Sequence, residues 1–127
     1  VDTPTPFRSA VEARDLDAVV ALLHPDVRLQ SPVAFHPFVG RVQVREVLGH
    51  VLEVLEDFRY TDELAGEGSH ALLFRAHIGD TQVEGLDHLR YGPDGLVQTL
   101  TVMVRPLSAT VALAQRMAPR VQHLTKT

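Results

Sequence analysis

The sequence has no cysteine, no apolar run of the roughly 18 residues that a membrane-spanning helix needs, and no cluster of basic side chains. Each absence closes off a class of protein. Without cysteine there is no disulfide framework and no thiolate metal site, and a reducing compartment is permitted. Without a long apolar run no helical membrane span is expected. The opening Val1-Asp2-Thr3-Pro4 also lacks the pattern of a signal peptide, so a cytoplasmic chain with no membrane partner is predicted. Twelve Lys and Arg stand against sixteen Asp and Glu, a net charge of −4, and the bases are scattered. That removes the electrostatic footprint that nucleic-acid binding demands. Internal repeats and low-complexity tracts are missing as well.

Two kinds of catalytic machinery are missing too. The seven histidines include no i, i+4 pair and no His–carboxylate cluster at metal-ligand spacing, so no metal is expected. No G-x-S-x-G elbow occurs to expose a nucleophilic serine. Nothing in the pattern calls for a cofactor.

What is present is an ordinary globular composition. At 127 residues and 45% apolar content, the chain is predicted to form one domain, 1–127, around one core. Residues 6–14 place Phe7, Ala10, Val11 and Arg14 at helical spacing, with Pro6 suited to the first turn. Asp15 reads as the N-cap of a second short helix, 16–23, stopped by His24-Pro25. A strand follows at 27–33; its odd row, Val27, Leu29, Ser31 and Val33, is predicted to face the core, with Ser31 its polar member. Residues 41–58 form the longest predicted helix, on a stripe running from Val44 to Phe58, and Glu53, Glu56 and Asp57 read as its solvated face. The pattern then changes to strands near 59–65, 70–78, 82–91 and 96–105, punctuated by the turns GEGS and GPDG. The GPDG turn invites a phosphate-loop reading, but hairpin chemistry accounts for it. A closing helix from Ser108 is predicted to share one face among Val111, Ala114, Met117, Ala118 and Val121. Helices followed by a meandering sheet and a last helix give an α+β fold class.

The stretch 83–91 carries the functional lead. Val83, Gly85, Asp87, Leu89 and Tyr91 form its more apolar row, and Asp87 sits in the middle of it. A carboxylate on an inward row must be hydrogen-bonded, be neutralised by a raised pKa, or line a wet cavity. The structural alternative pairs Asp87 with Arg90 or Arg105 near the strand end. Ser31 likewise reads as a satisfied strand serine or as a site residue, and Phe7 as core or as ligand contact. His36, in the loop after the first strand, is placed near a pocket mouth, and His77 and His88 on the outer sheet face.

Two blocks carry a family resemblance: FRSAVEARDLDAVVALLHPDVRLQSPV near the start and LDHLRYGPDGLVQTLTVMVRP later. Together with the helix between them they resemble the SnoaL-like and ketosteroid isomerase-like group of the nuclear-transport-factor-2-like superfamily over most of residues 6–106. The resemblance implies a cone: a curved antiparallel or mixed sheet wrapped around a long helix, with two short N-terminal helices and, here, an added C-terminal helix.

It also implies an internal apolar pocket. In ketosteroid isomerase, an aspartate base works beside an oxyanion hole made of a tyrosine and a protonated aspartic acid. The tyrosine position falls on Phe7, the base position on Ser31, and the protonated-acid position on Asp87. Only the acid is kept, so ordinary ketosteroid isomerase activity is not expected. Val47, Leu89, Val102 and Val104 match positions that line the family's cavity. The group's dimers imply a homodimer through the outer sheet face, where Leu86, Val97 and Met103 are predicted to lie.

Three functions from different classes fit. The first is a binder of a small apolar molecule, such as a steroid, terpenoid or polyketide fragment, held by Phe7, Ser31, Val47, Asp87, Leu89, Val102 and Val104. The second is an enzyme of the cyclase, dehydratase or epoxide hydrolase type that uses Asp87 as acid or base. In the superfamily that the chain resembles, epoxide opening looks like the work of a buried Asp–Arg–Asp arrangement around a water, and Arg90 is predicted on the opposite face from Asp87. The third is a dimeric interaction module whose cone is packed solid. A second titratable group within about 3 Å of Asp87 separates the enzyme from the binder.

Overall fold

A computed structural model describes residues 5–124; the opening stretch 1–4 lies outside the described residues. Two short helices lead, α1 (Pro6–Glu12) and α2 (Leu16–Ala21). Thr5 Oγ1 accepts from the Arg8 amide and Asp15 accepts from the Ala18 amide, so both helix starts are capped by side chains, and Pro6 occupies the first turn. Then follow β1 (Leu23–Gln30), the two-residue β2 (Phe38–Val39), α3 (Arg41–Val54), β3 (Glu56–Gly66), β4 (Ser69–Ile78), β5 (Thr81–Tyr91), β6 (Val97–Arg105) and α4 (Leu107–Val121). The six strands form one sheet in the order β2-β1-β6-β5-β4-β3. Every neighbouring pair is antiparallel except β1 and β6, which run parallel. The result is a mixed, curved sheet with α3 and α4 on its inner side, the α+β cone that the resemblance implies.

Several boundaries differ from expectation, each for a local reason. The His24-Pro25 pair does not stop a helix; it lies inside β1, where the register against β6 shifts between Leu23 and Arg28. Leu23 is already paired with Val97, and the Arg41 guanidinium donates to the Leu23 carbonyl. The strand ends at Gln30, before Ser31, because the Ala34 amide turns back to donate to Ser31 Oγ and Pro32 has no amide to offer a ladder. Val33, expected inside, is therefore exposed. Helix α3 ends at Val54, with Leu55 in extended backbone, so Phe58 belongs to β3. Glu56 and Asp57 are likewise strand residues: Glu56 accepts from the Gly79 amide and Asp57 meets His77 at 2.7 Å.

Helix α4 buries Ala109, Leu113, Met117 and Val121, an i, i+4 stripe. Of the predicted face only Met117 and Val121 are in it, and Val111 is exposed. The register of β5 against β6 slips at the end, Arg90 facing Thr99 and Tyr91 facing Val97. That slip rotates Val97 inward to 1% exposure, so it is core and not part of the outer face.

Gly85 has a specific use. It faces Phe74 across the β4–β5 ladder, and a Cβ there would run into the Phe74 ring. Its absence lets that ring lie over β5 and form one wall of the interior.

Candidate functional site

Asp87 points inward, as the period-2 reading of β5 requires. It is paired with Leu72 on β4 and Val102 on β6, and retains 8% of its surface. Its partner is neither arginine proposed for it. Arg90 is exposed, and Arg105 bridges to Glu84 at 2.8 Å on the outer face, where Arg75 also reaches Glu84 at 2.9 Å. The partner is Tyr60, whose hydroxyl donates to Asp87 Oδ2 at 2.7 Å.

Tyr60 is the site residue that sequence reasoning missed. It stands on β3, two strands away from Asp87, and its ring is fixed by Phe58 at 5.0 Å in an edge contact and by Phe74 at 6.4 Å. Its trace in the sequence is partial and does not name the partner. Phe58 and Tyr60 alternate at the start of a strand, and a buried tyrosine needs a partner for its hydroxyl, as a buried aspartate does.

Both groups are electrostatically displaced. Burial pushes the Asp87 carboxyl up from its ordinary 3.8 to about 7, and the hydrogen bond from Tyr60 pulls against that rise. Burial also holds the Tyr60 phenol well above 10, with the neighbouring Asp87 carboxyl adding to the effect. At neutral pH the pair is poised between a carboxylic acid able to donate and a carboxylate able to accept.

The pair lines an apolar cavity of about 60 Å³. Six of the seven residues singled out from the sequence line it: Phe7, Ser31, Val47, Asp87, Val102 and Val104. Leu89, next on the Asp87 row, is completely buried but packs in the core outside the lining. Ser31 is brought to the cavity from the turn after β1, not from the strand, and its oxygen is engaged by the Ala34 amide. His36 is exposed, edge-on to Phe35, and does not line the cavity. Among the lining residues only Asp87 and Tyr60 titrate near or above neutrality; no second carboxylate joins them. Among the described residues no group of three or more His, Asp or Glu is placed to hold a metal ion, and no helix is long and apolar enough to cross a membrane.

Residues 6–105 match the SnoaL-like domain. A steroid delta-isomerase from Pseudomonas aeruginosa is 37% identical, with 92% of this chain and 87% of that one covered and a TM-score of 0.85. An uncharacterised bacterial protein with a cystatin-like fold from Silicibacter pomeroyi is 32% identical, with 92% and 83% covered and a TM-score of 0.86. A SnoaL-like protein of unknown function from Burkholderia thailandensis shares the fold at 23% identity, with 80% and 90% covered and a TM-score of 0.67.

Proposed function

The chain belongs to the SnoaL-like family, and from that premise we propose that it binds a small, largely apolar molecule through one oxygen, held at the Asp87–Tyr60 pair. The observation that carries this reading is the 2.7 Å hydrogen bond between Tyr60 and Asp87 in the wall of a cavity whose only other polar lining side chain is Ser31. Tyr60 spends its proton on Asp87. A protonated Asp87 then has its own proton to give to a ligand carbonyl, and an ionised Asp87 accepts from a ligand hydroxyl. Few, convergent polar groups in an apolar pocket are the usual composition of a small-molecule site.

Ordinary ketosteroid isomerase chemistry does not follow from the same residues. Moving a proton between two carbons of the substrate needs a base beside an oxyanion hole, and the base position is Ser31, a weak base already engaged in a turn. Turnover of a 5-ene-3-ketosteroid at a rate typical of steroid isomerases would refute this part of the reading. Binding is tested with cyclohexanone and cyclohexanol by calorimetry. Ketone affinity falls as pH rises through about 7, and Asp87→Asn removes that dependence.

A second reading meets the distance criterion that separates an enzyme from a binder, since the Tyr60 hydroxyl lies 2.7 Å from Asp87. It ranks below the binder because burial holds the Tyr60 phenol well above 10, so that it keeps its proton at neutral pH. What favours an enzyme using Asp87 as acid or base is its carboxyl pKa of about 7. Loss of a detected turnover in Asp87→Asn, with folding and ligand affinity retained, selects it over the binder.

The proposal extends to a symmetric homodimer through the outer sheet face. Met103 is 55% exposed there and Leu73 and Leu86 lie beside it, with the Arg75–Glu84–Arg105 ion pairs at the margin. An apolar patch with a charged rim has the anatomy of an interface.

A further inference from the structure

Sixty cubic ångströms hold a few water-sized groups, whereas pockets for drug-sized ligands run to about 300–1,000 Å³. The inner cavity alone does not accommodate the body of such a ligand. A second hollow, of about 280 Å³, lies directly outside it. Its walls are the α4 face carrying Ala114, Met117, Ala118 and Val121, together with Phe38 and residues 31–34. Ser31, Pro32, Val47, Val51 and Leu113 line both hollows. The partition between them is therefore a thin layer of small or aliphatic side chains, with the turn after β1 on one side and α4 on the other. Joined, the two spaces reach the lower end of the ligand-pocket range.

Ala114 and Ala118 are the smallest α4 side chains that line the outer hollow. Both flank the buried Leu113–Met117–Val121 stripe, and a longer side chain at either would fill the space. The lining of this hollow is mostly apolar, with Ser31 and Gln122 its polar members, so a charged group gains little there.

We infer that the site takes an elongated molecule with its oxygen at one end, whose unbranched hydrocarbon tail passes between Ser31-Pro32 and Leu113 into the hollow under α4. The head-group end of this assignment rests on the Asp87–Tyr60 reading; the tail end rests on the continuity of the two hollows. The substrate or ligand class is a medium-chain ketone or alcohol, in preference to a compact ring system.

The test is a series of 2-alkanones from 2-hexanone to 2-undecanone, titrated calorimetrically on either side of the Asp87 titration, near pH 6 and near pH 8, against the native chain and three variants, Asp87→Asn, Ala114→Leu and Ala118→Leu. Affinity is expected to rise about fourfold with each added methylene up to the longest member, as burial of successive CH₂ groups requires. Ala114→Leu is expected to compress the ratio of long-chain to short-chain affinity at least tenfold. Ala118→Leu repeats the compression and stands in if Ala114→Leu melts early.

Suppose instead that short ketones bind and lose affinity from pH 6 to pH 8 in the native chain but not in Asp87→Asn, yet affinity stops growing with length and neither leucine variant alters the ratio. The tail assignment is then wrong while the head-group reading stands. Length-dependent binding that is sensitive to Ala114→Leu but equal at the two pH values in the native chain keeps the tail assignment and removes the head-group reading. Absence of binding across the whole series overturns both.

Discussion

Asp87 combines near-complete burial with a single hydrogen-bond donor, and that combination sets a stability signature. Its carboxyl pKa in the fold, about 7, lies above its ordinary 3.8. Between pH 4 and 7 the folded chain therefore keeps a proton that the unfolded chain has released. Stability owed to this group is fully present below about pH 4, declines as pH rises, and is gone above about pH 7. The size is on the order of 4 kcal/mol, taking 1.36 kcal/mol per pKa unit. Urea unfolding of native and Asp87→Asn chains across pH 4–8 is expected to show the native advantage shrinking with pH, since the amide has no proton to lose. A constant difference would mean that Asp87 titrates normally. Tyr60 acts in the opposite sense to burial, lowering the carboxyl pKa by donating to it. Tyr60→Phe should consequently move the Asp87 titration upward from about 7, read by carboxyl NMR. Of the two residues only Asp87 is legible in the sequence, as the acidic break in an apolar alternation. Tyr60 is not, because it stands 27 residues away on a strand whose start continues the apolar period of the preceding helix, and a contact of that span leaves no periodic trace.

Strand ends and helix faces depend on single residues more than on pattern. Gly85 is one. Replacing it by Ala puts a methyl against the Phe74 ring, at a cost of about 1–3 kcal/mol for overpacking, and it displaces a wall of the cavity. A lowered melting temperature together with weakened ligand affinity checks both effects; an unchanged melting temperature would show that Phe74 has another place to go. The long helix and the four later strands are readable because each repeats its period over nine or more residues. The limits of β1 are not, because a proline inside it and a turn serine at its end break the alternation. The buried face of α4 departs from the expected one for a different reason. The helix buries Ala109 and exposes Val111, so side-chain size at its first turn points to the wrong side.

The molecule as a whole is legible through the order of its elements and the two family-like blocks, which imply a cone with an apolar interior. Side-chain volumes across several strands and helices decide how much of that interior stays empty, and no local pattern records them. Assembly belongs to this scale too. Light scattering on the 14.0 kDa chain should report twice that mass, and Met103→Lys should lower it to the monomer. A native chain that elutes as a monomer removes the dimer proposal.

The parallel pairing of β1 with β6 has a consequence for biosynthesis. Leu23 and residues 28–30 find their parallel ladder partners only at Val97 and residues 99–101. A chain emerging from the ribosome must therefore carry β1 with only β2 and α3 to pack against it until residues 97–101 have been made. The last strand to be synthesised is the one that joins the beginning of the chain to the sheet.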